Sequence, residues 1–99
     1  MTKPATAILH YSSPPTVGGV EAAILAHARE FAAAGYPVTV VSGRGSQDGL
    51  PEGAGFDPIP LMHSQHPEIL AVSRELENGV VSTEFDRLVA ELERQLEPV

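Results

Sequence analysis

Thr6-Ala7-Ile8-Leu9-His10-Tyr11, then Ser12-Ser13-Pro14-Pro15-Thr16-Val17, then Gly18-Gly19-Val20-Glu21: this passage decides the fold. An apolar run with strand character enters a loop whose two prolines block both helix and central strand. A glycine pair closes the loop, and a helical pattern starts at once. Apolar residues fall at Val20, Ala23, Ile24, Ala28 and Phe31, with Leu25 and Ala32 widening the stripe, which is the spacing of an amphipathic helix. Gly35 stands at the C′ position that ends helices, and Pro37 follows it. Val38-Thr39-Val40-Val41 is β-branched throughout and predicts a strand buried on both faces. With a short buried strand over residues 7–11, the order strand, helix, strand predicts a parallel βαβ unit.

Further along, residues 42–55 read as a loop with five glycines and a proline, led by Gly43-Arg44-Gly45. Residues 56–61 are a strand candidate that Pro58 and Pro60 demote to an edge or a short piece. Ile69, Leu70, Val72 and Leu76 suit a short helix ended by Asn78-Gly79. A last helix is expected from about Glu84, with Thr83 as its N-cap and acidic residues at its positive end. Its stripe is Phe85, Leu88, Val89, Leu92 and Leu96, and Pro98 stops it. The predicted order is therefore β-α-β-(β)-α-α: an α/β chain with a Rossmann-like parallel sheet and flanking helices. No strand follows the last helix, so the sheet is expected to be incomplete, with an exposed edge.

Composition narrows the function. The chain has 99 residues, 42% hydrophobic and 19% charged, an ordinary globular balance that fits one small domain. Its net charge of −7 repels phosphate backbones and argues against a nucleic-acid partner. No basic amphipathic helix or spanning segment indicates membrane contact. Cysteine is absent, which excludes disulfides and thiolate chemistry and accords with a cytoplasmic location.

The glycine pair carries the candidate chemistry. Without Cβ atoms the backbone at Gly18 and Gly19 can take positive φ and admit a ligand closely. Beside a helix N-terminus, free N–H groups and the helix dipole favour an anion such as phosphate. Glu21, in the first turn, suits a ligand hydroxyl. The same residues also fit a plain strand-to-helix turn with a solvated first-turn acid. Arg44, at the carboxyl end of the second strand, is a lone cation on the ligand side of such sheets, and a solvated loop arginine fits it as well. The dinucleotide fingerprint, the phosphate-binding loop with its Lys-Ser/Thr and the nucleophile elbow are all missing. His63 and His66 with Glu68 are too few ligands for a metal site, and none is expected. His10 shares a face with Ile8, where a hydrogen-bonded, buried or half-buried imidazole is expected rather than a catalytic one.

Ile8-Leu9-His10-Tyr11, the proline loop, Gly18-Gly19-Val20-Glu21 and Gly35-Tyr36-Pro37-Val38-Thr39-Val40-Val41 together resemble the start of the N-terminal domain of a family 4-like, retaining glycosyltransferase of the GT-B fold. The likeness runs over residues 8–45 and continues more weakly through His66-Pro67 to the end. It implies two Rossmann-like domains facing a cleft, of which residues 1–99 would be the first part of the acceptor-side domain. Gly18 and Gly19 would lie near the donor diphosphate, with Glu21 nearby. The donor domain, with its pair of glutamates and its basic residue, has no counterpart in this sequence. The resemblance therefore implies a hexosyltransferase parent that uses a nucleotide-sugar and a sugar, lipid or small-molecule acceptor, needing no cofactor. No catalytic residue is assigned, and this span alone is expected to be inactive. The alternative is a stand-alone Rossmann-like module that pairs its exposed sheet edge with a partner or with itself.

Overall fold

The computed structural model describes residues 3–99. Its element order is β1 (Thr6–His10), α1 (Gly19–Ala33), β2 (Val38–Ser42), a 3-10 turn (Gln47–Gly49), β3 (Ala54–Pro58), a second 3-10 turn (Pro60–Met62), α2 (Pro67–Glu77) and α3 (Thr83–Leu96). The three strands form a parallel sheet in the order β1-β2-β3. Thr6 lies level with Val38 and Val38 with Ala54. The fold is thus α/β, with helices flanking a parallel sheet in a Rossmann-like arrangement.

The valines of β2 decide the layering. Val38 and Val40 turn to one face and pack with Ile24 and Ala28 of α1 and Ala54 of β3; Ile8 and Phe31 close that cluster. Val41 turns to the other face, where Ile59, Leu61, Val72 of α2 and Leu88 of α3 surround it. Val40 and Val41 are fully buried, as a strand covered on both sides requires. Strand β1 differs from the buried strand expected there. Its residues alternate between half-buried and exposed, because only the α1 face has a cover and Leu9 on the other face stays 47% exposed. The α1 stripe is also turned from the expected one. Val20 is exposed and Glu21 takes its place beside Ile24 and Ala28 on the buried face.

The helix ends follow local chemistry. Gly35 has φ 84°, and the Tyr36 N–H reaches the Phe31 carbonyl while the Gly35 N–H reaches that of Ala32. This is a Schellman closure, completed by edge-on packing of Tyr36 against Phe31 at 5.6 Å. The Lys3 ammonium caps the Ala34 carbonyl, placing a cation at the negative end of α1. Gly79, at φ 74°, closes α2 in the same way. At α3 the N-cap is Ser82, not Thr83: the Ser82 hydroxyl accepts the Phe85 N–H at 3.4 Å. Thr83 is already helical, since the extended backbone a cap needs falls one residue earlier.

Arg87 of α3 ties α2 to α3. It reaches Glu68 of α2 at 2.7 Å and also Glu84 of its own helix. Two turns on, Arg94 pairs with Glu91. The hydrogen bond from Arg94 holds the Glu91 carboxyl down at about 2, against an ordinary 4.5. A carboxyl depressed in the fold stabilises it above its ordinary value, and that contribution is lost as acid protonates the carboxylate. Glu91→Gln should therefore be less stable than the parent above pH 4.5, with the gap closing as pH falls to about 2. Urea midpoints over that range measure it. The gap is small, because the pair is exposed and screened; a gap independent of pH would refute the assignment.

Candidate functional site

The carboxyl ends of β1 and β2 carry two loops, residues 11–18 and 43–53, and serine chemistry sews them together. The Ser13 N–H and hydroxyl both donate to the Arg44 carbonyl, at 2.8 and 3.0 Å. The Ser42 hydroxyl donates to the same carbonyl at 2.7 Å and accepts the Arg44 N–H at 3.2 Å. The Ser46 N–H then reaches the Pro14 carbonyl at 3.2 Å. Ser13 and Ser42 are both fully buried, and a buried hydroxyl must be paired. Glycine makes the approach of backbone to backbone possible. A Cβ at Gly49 would overlap the Pro14–Pro15 peptide, and one at Gly43 would overlap His63. Sequence reasoning missed this role. Its one visible sign was serine at positions 13 and 42, at the ends of adjacent strands.

The loops present the N-terminus of α1. Gly18 is its N-cap, and no side chain caps it. The Ala22 N–H makes the first helical bond, to the Gly18 carbonyl at 3.0 Å. The N–H groups of Gly19, Val20 and Glu21 have no acceptor among the described residues. Such groups are the orphan donors of a helix start, and they carry the positive end of its dipole.

The expected reason for the glycines is corrected here. Gly18 has φ 174°, an extended backbone open to any residue, and neither Gly18 nor Gly19 adopts positive φ. What Gly18 supplies is room. A Cβ there would overlap the Glu21 carboxylate, which folds back over it. Gly19 has nothing within 4 Å of its Cβ position and faces open space. Glu21 itself is only 9% exposed, so it is not a solvated first-turn acid. Its carboxylate accepts no hydrogen bond from the described residues.

Two further polar groups stand unpaired beside this corner. His10 Nε2, at the end of β1, and Ser12 Oγ, two residues on, are buried without a hydrogen-bond partner. They are the only such side-chain atoms among the described residues. The hydrogen-bonded imidazole expected at His10 is thus not what the fold contains at Nε2. The ring instead lies against Tyr11, with centroids 4.3 Å apart. Arg44 is exposed and lines a shallow depression of about 380 Å³ with Pro15, Thr16, Gly45 and Ser46. It lies beside the proline loop, so the structure brings Arg44 to the same rim as the glycine pair's loop.

His63 and His66 serve local turns. Their Nδ1 atoms accept the N–H groups of Gln65 and Glu68, at 2.9 and 3.2 Å, and the latter bond caps α2. Among the described residues no group of three or more metal-ligating side chains occurs, and no helix is long and apolar enough to cross a membrane. No protein-family model, curated protein or solved structure matches the chain.

Proposed function

We propose that this chain is the acceptor-side part of a nucleotide-sugar glycosyltransferase, with the N-terminus of α1 facing the donor diphosphate. One observation carries the reading: three adjacent amides, of Gly19, Val20 and Glu21, stand unpaired at an uncapped helix start. That start lies at the carboxyl end of a parallel sheet, where ligands of such sheets bind. The placement suits a leaving diphosphate. Charge grows on it as the bond between the sugar's anomeric carbon and the diphosphate oxygen breaks and the acceptor's oxygen takes the sugar, and fixed N–H dipoles stabilise that charge without having to reorganise.

The Glu21 carboxylate divides the corner. It covers Gly18, so a phosphate is received on the open side at Gly19, while the carboxylate is an acceptor for a hydroxyl of the sugar or nucleotide. Arg44 stands on the neighbouring rim as an exposed cation. The retaining stereochemistry, the catalytic groups and the choice of sugar all belong to sequence outside these residues. The span alone is accordingly expected to transfer no sugar when assayed against a panel of nucleotide-sugars.

Binding provides the direct test. Titrating the isotope-labelled chain with UDP-glucose, GDP-mannose or pyrophosphate should shift the amide resonances of Gly19, Val20 and Glu21, with dissociation constants of about 1 mM. Gly19→Glu places a second carboxylate in the open space and should abolish the shifts while keeping the fold. If all three amides stay still with every one of these anions, the proposal fails.

A further inference from the structure

The two histidines after β3 are spent on their turns at one ring nitrogen only. The Gln65 N–H donates to His63 Nδ1 at 2.9 Å, and the Glu68 N–H to His66 Nδ1 at 3.2 Å. A ring nitrogen that accepts carries no proton, so each neutral imidazole holds its proton on Nε2. Both rings are therefore the same tautomer, and each offers an N–H donor at its far end. Neither donor has an acceptor among the described residues. Neither is sealed inside the fold, as His10 Nε2 is. The two half-buried residues border one depression of about 190 Å³, together with Gly43, Pro60 and Gln65.

The fold sets this depression on the ligand side of the sheet. Gly43 directly follows β2, and the turn from Pro60 to His66 follows β3, so it lies at the carboxyl ends of both strands. Its walls are closely fitted. A Cβ at Gly43 would overlap the His63 backbone, and the two main-chain bonds hold the rings in place. The acid nearest in sequence, Glu68, is already engaged by Arg87 at 2.7 Å. The tautomer also selects the ligand. A metal binds the bare lone pair of one ring nitrogen while the other nitrogen donates its proton. That arrangement at Nε2 would cost both turn bonds, including the cap of α2. Two N–H donors suit an acceptor instead.

We propose that His63 and His66 form a subsite for an oxyanion, the carboxylate or phosphate group of a small ligand bound at the carboxyl edge of the sheet. Each Nε2–H donates to an oxygen of that group. The side-chain amide of Gln65, on the same rim, supplies a further N–H. The donors are uncharged and the chain's net charge is −7, so binding is weak, with a dissociation constant of about 1–10 mM. The α1 corner plays no part in it, and the inference stands apart from the glycosyltransferase reading.

Nuclear magnetic resonance of the labelled chain at mildly alkaline pH, where free imidazoles are neutral, tests it in two steps. Long-range proton–nitrogen spectra should show the proton on Nε2 in both His63 and His66. Inorganic phosphate and acetate, added separately, should then shift the ring signals of these two histidines while those of His27 stay still. The anion that binds more tightly tells a phosphate group from a carboxylate. His63→Asn and His66→Asn each keep a side-chain oxygen to accept the turn N–H and lose the Nε2 donor. Each should weaken binding about three- to tenfold, with circular dichroism checking the fold. If one variant does not fold, the other and the tautomer still decide. A proton on Nδ1 in either ring overturns the proposal. So do rings that stay still with both anions, or folded variants that bind as tightly as the parent. A response at Gly19, Val20 and Glu21 without one at the histidines refutes this inference and leaves the glycosyltransferase reading standing; the reverse result does the opposite.

Discussion

Gly43→Ala should destabilise the fold by about 3 kcal/mol, the upper end of what overpacking normally costs. The added Cβ would fall on the backbone of the turn after β3, overlapping the His63 nitrogen and lying 2.5 Å from both the His63 Cα and the Met62 carbonyl carbon. Backbone cannot swing aside as the tip of a long side chain can. The 43–53 loop must then separate from the 60–66 turn, or the end of β2 must shift. Either movement disturbs the Ser42–Arg44–Ser13 network that holds the proline loop. In a domain of marginal stability such a loss leaves a substantial unfolded fraction. Gly19→Ala is the control. Its Cβ meets nothing within 4 Å, and alanine is the better helix former, so it should be neutral or slightly stabilising. Urea unfolding of the pair decides the matter: equal midpoints would show that Gly43 is not the closely packed contact described.

Leu88→Ala should cost about 3 kcal/mol, within the range for emptying a buried leucine site. Leu88 is 4% exposed and is the α3 side chain buried in the cluster around Val41. Its loss leaves α3 held by partly buried residues such as Phe85, Leu92 and Leu96 and by exposed ion pairs, which add little. The effect should be uneven. The α1 cluster occupies the opposite face of the sheet, so hydrogen exchange should quicken in residues 67–96 while the β1–α1–β2 unit keeps most of its protection. A uniform loss across the chain would mean that the two faces unfold as one body, contrary to their separate cores.

The glycine pair shows how a correct position can carry the wrong reason. Its place at the start of α1 was legible, because a loop with two prolines, two glycines and an amphipathic run is a local pattern. The positive φ expected there is absent: the backbone is extended, and the space at Gly18 is taken by a side chain three residues on. The N-cap of α3 slipped by one residue for a similar cause. Ser82 and Thr83 can both cap, and only the path of the chain into α3 chooses between them. The Lys3 cap on α1 spans 31 residues, and nothing in the spacing of the sequence announces it.

Element type and order were set by short-range periodicity: β-branched runs, helical stripes, and glycine or proline at their ends. These are preferences of neighbouring residues and can be read along the chain. The burial of Glu21, the serine stitching of the two loops, the unpaired His10 and Ser12 atoms and the open side of β1 depend on groups brought close from distant positions. Packing around a three-stranded sheet chose them, because burial and hydrogen-bond satisfaction are properties of the assembled surface, and no local stretch contains that surface.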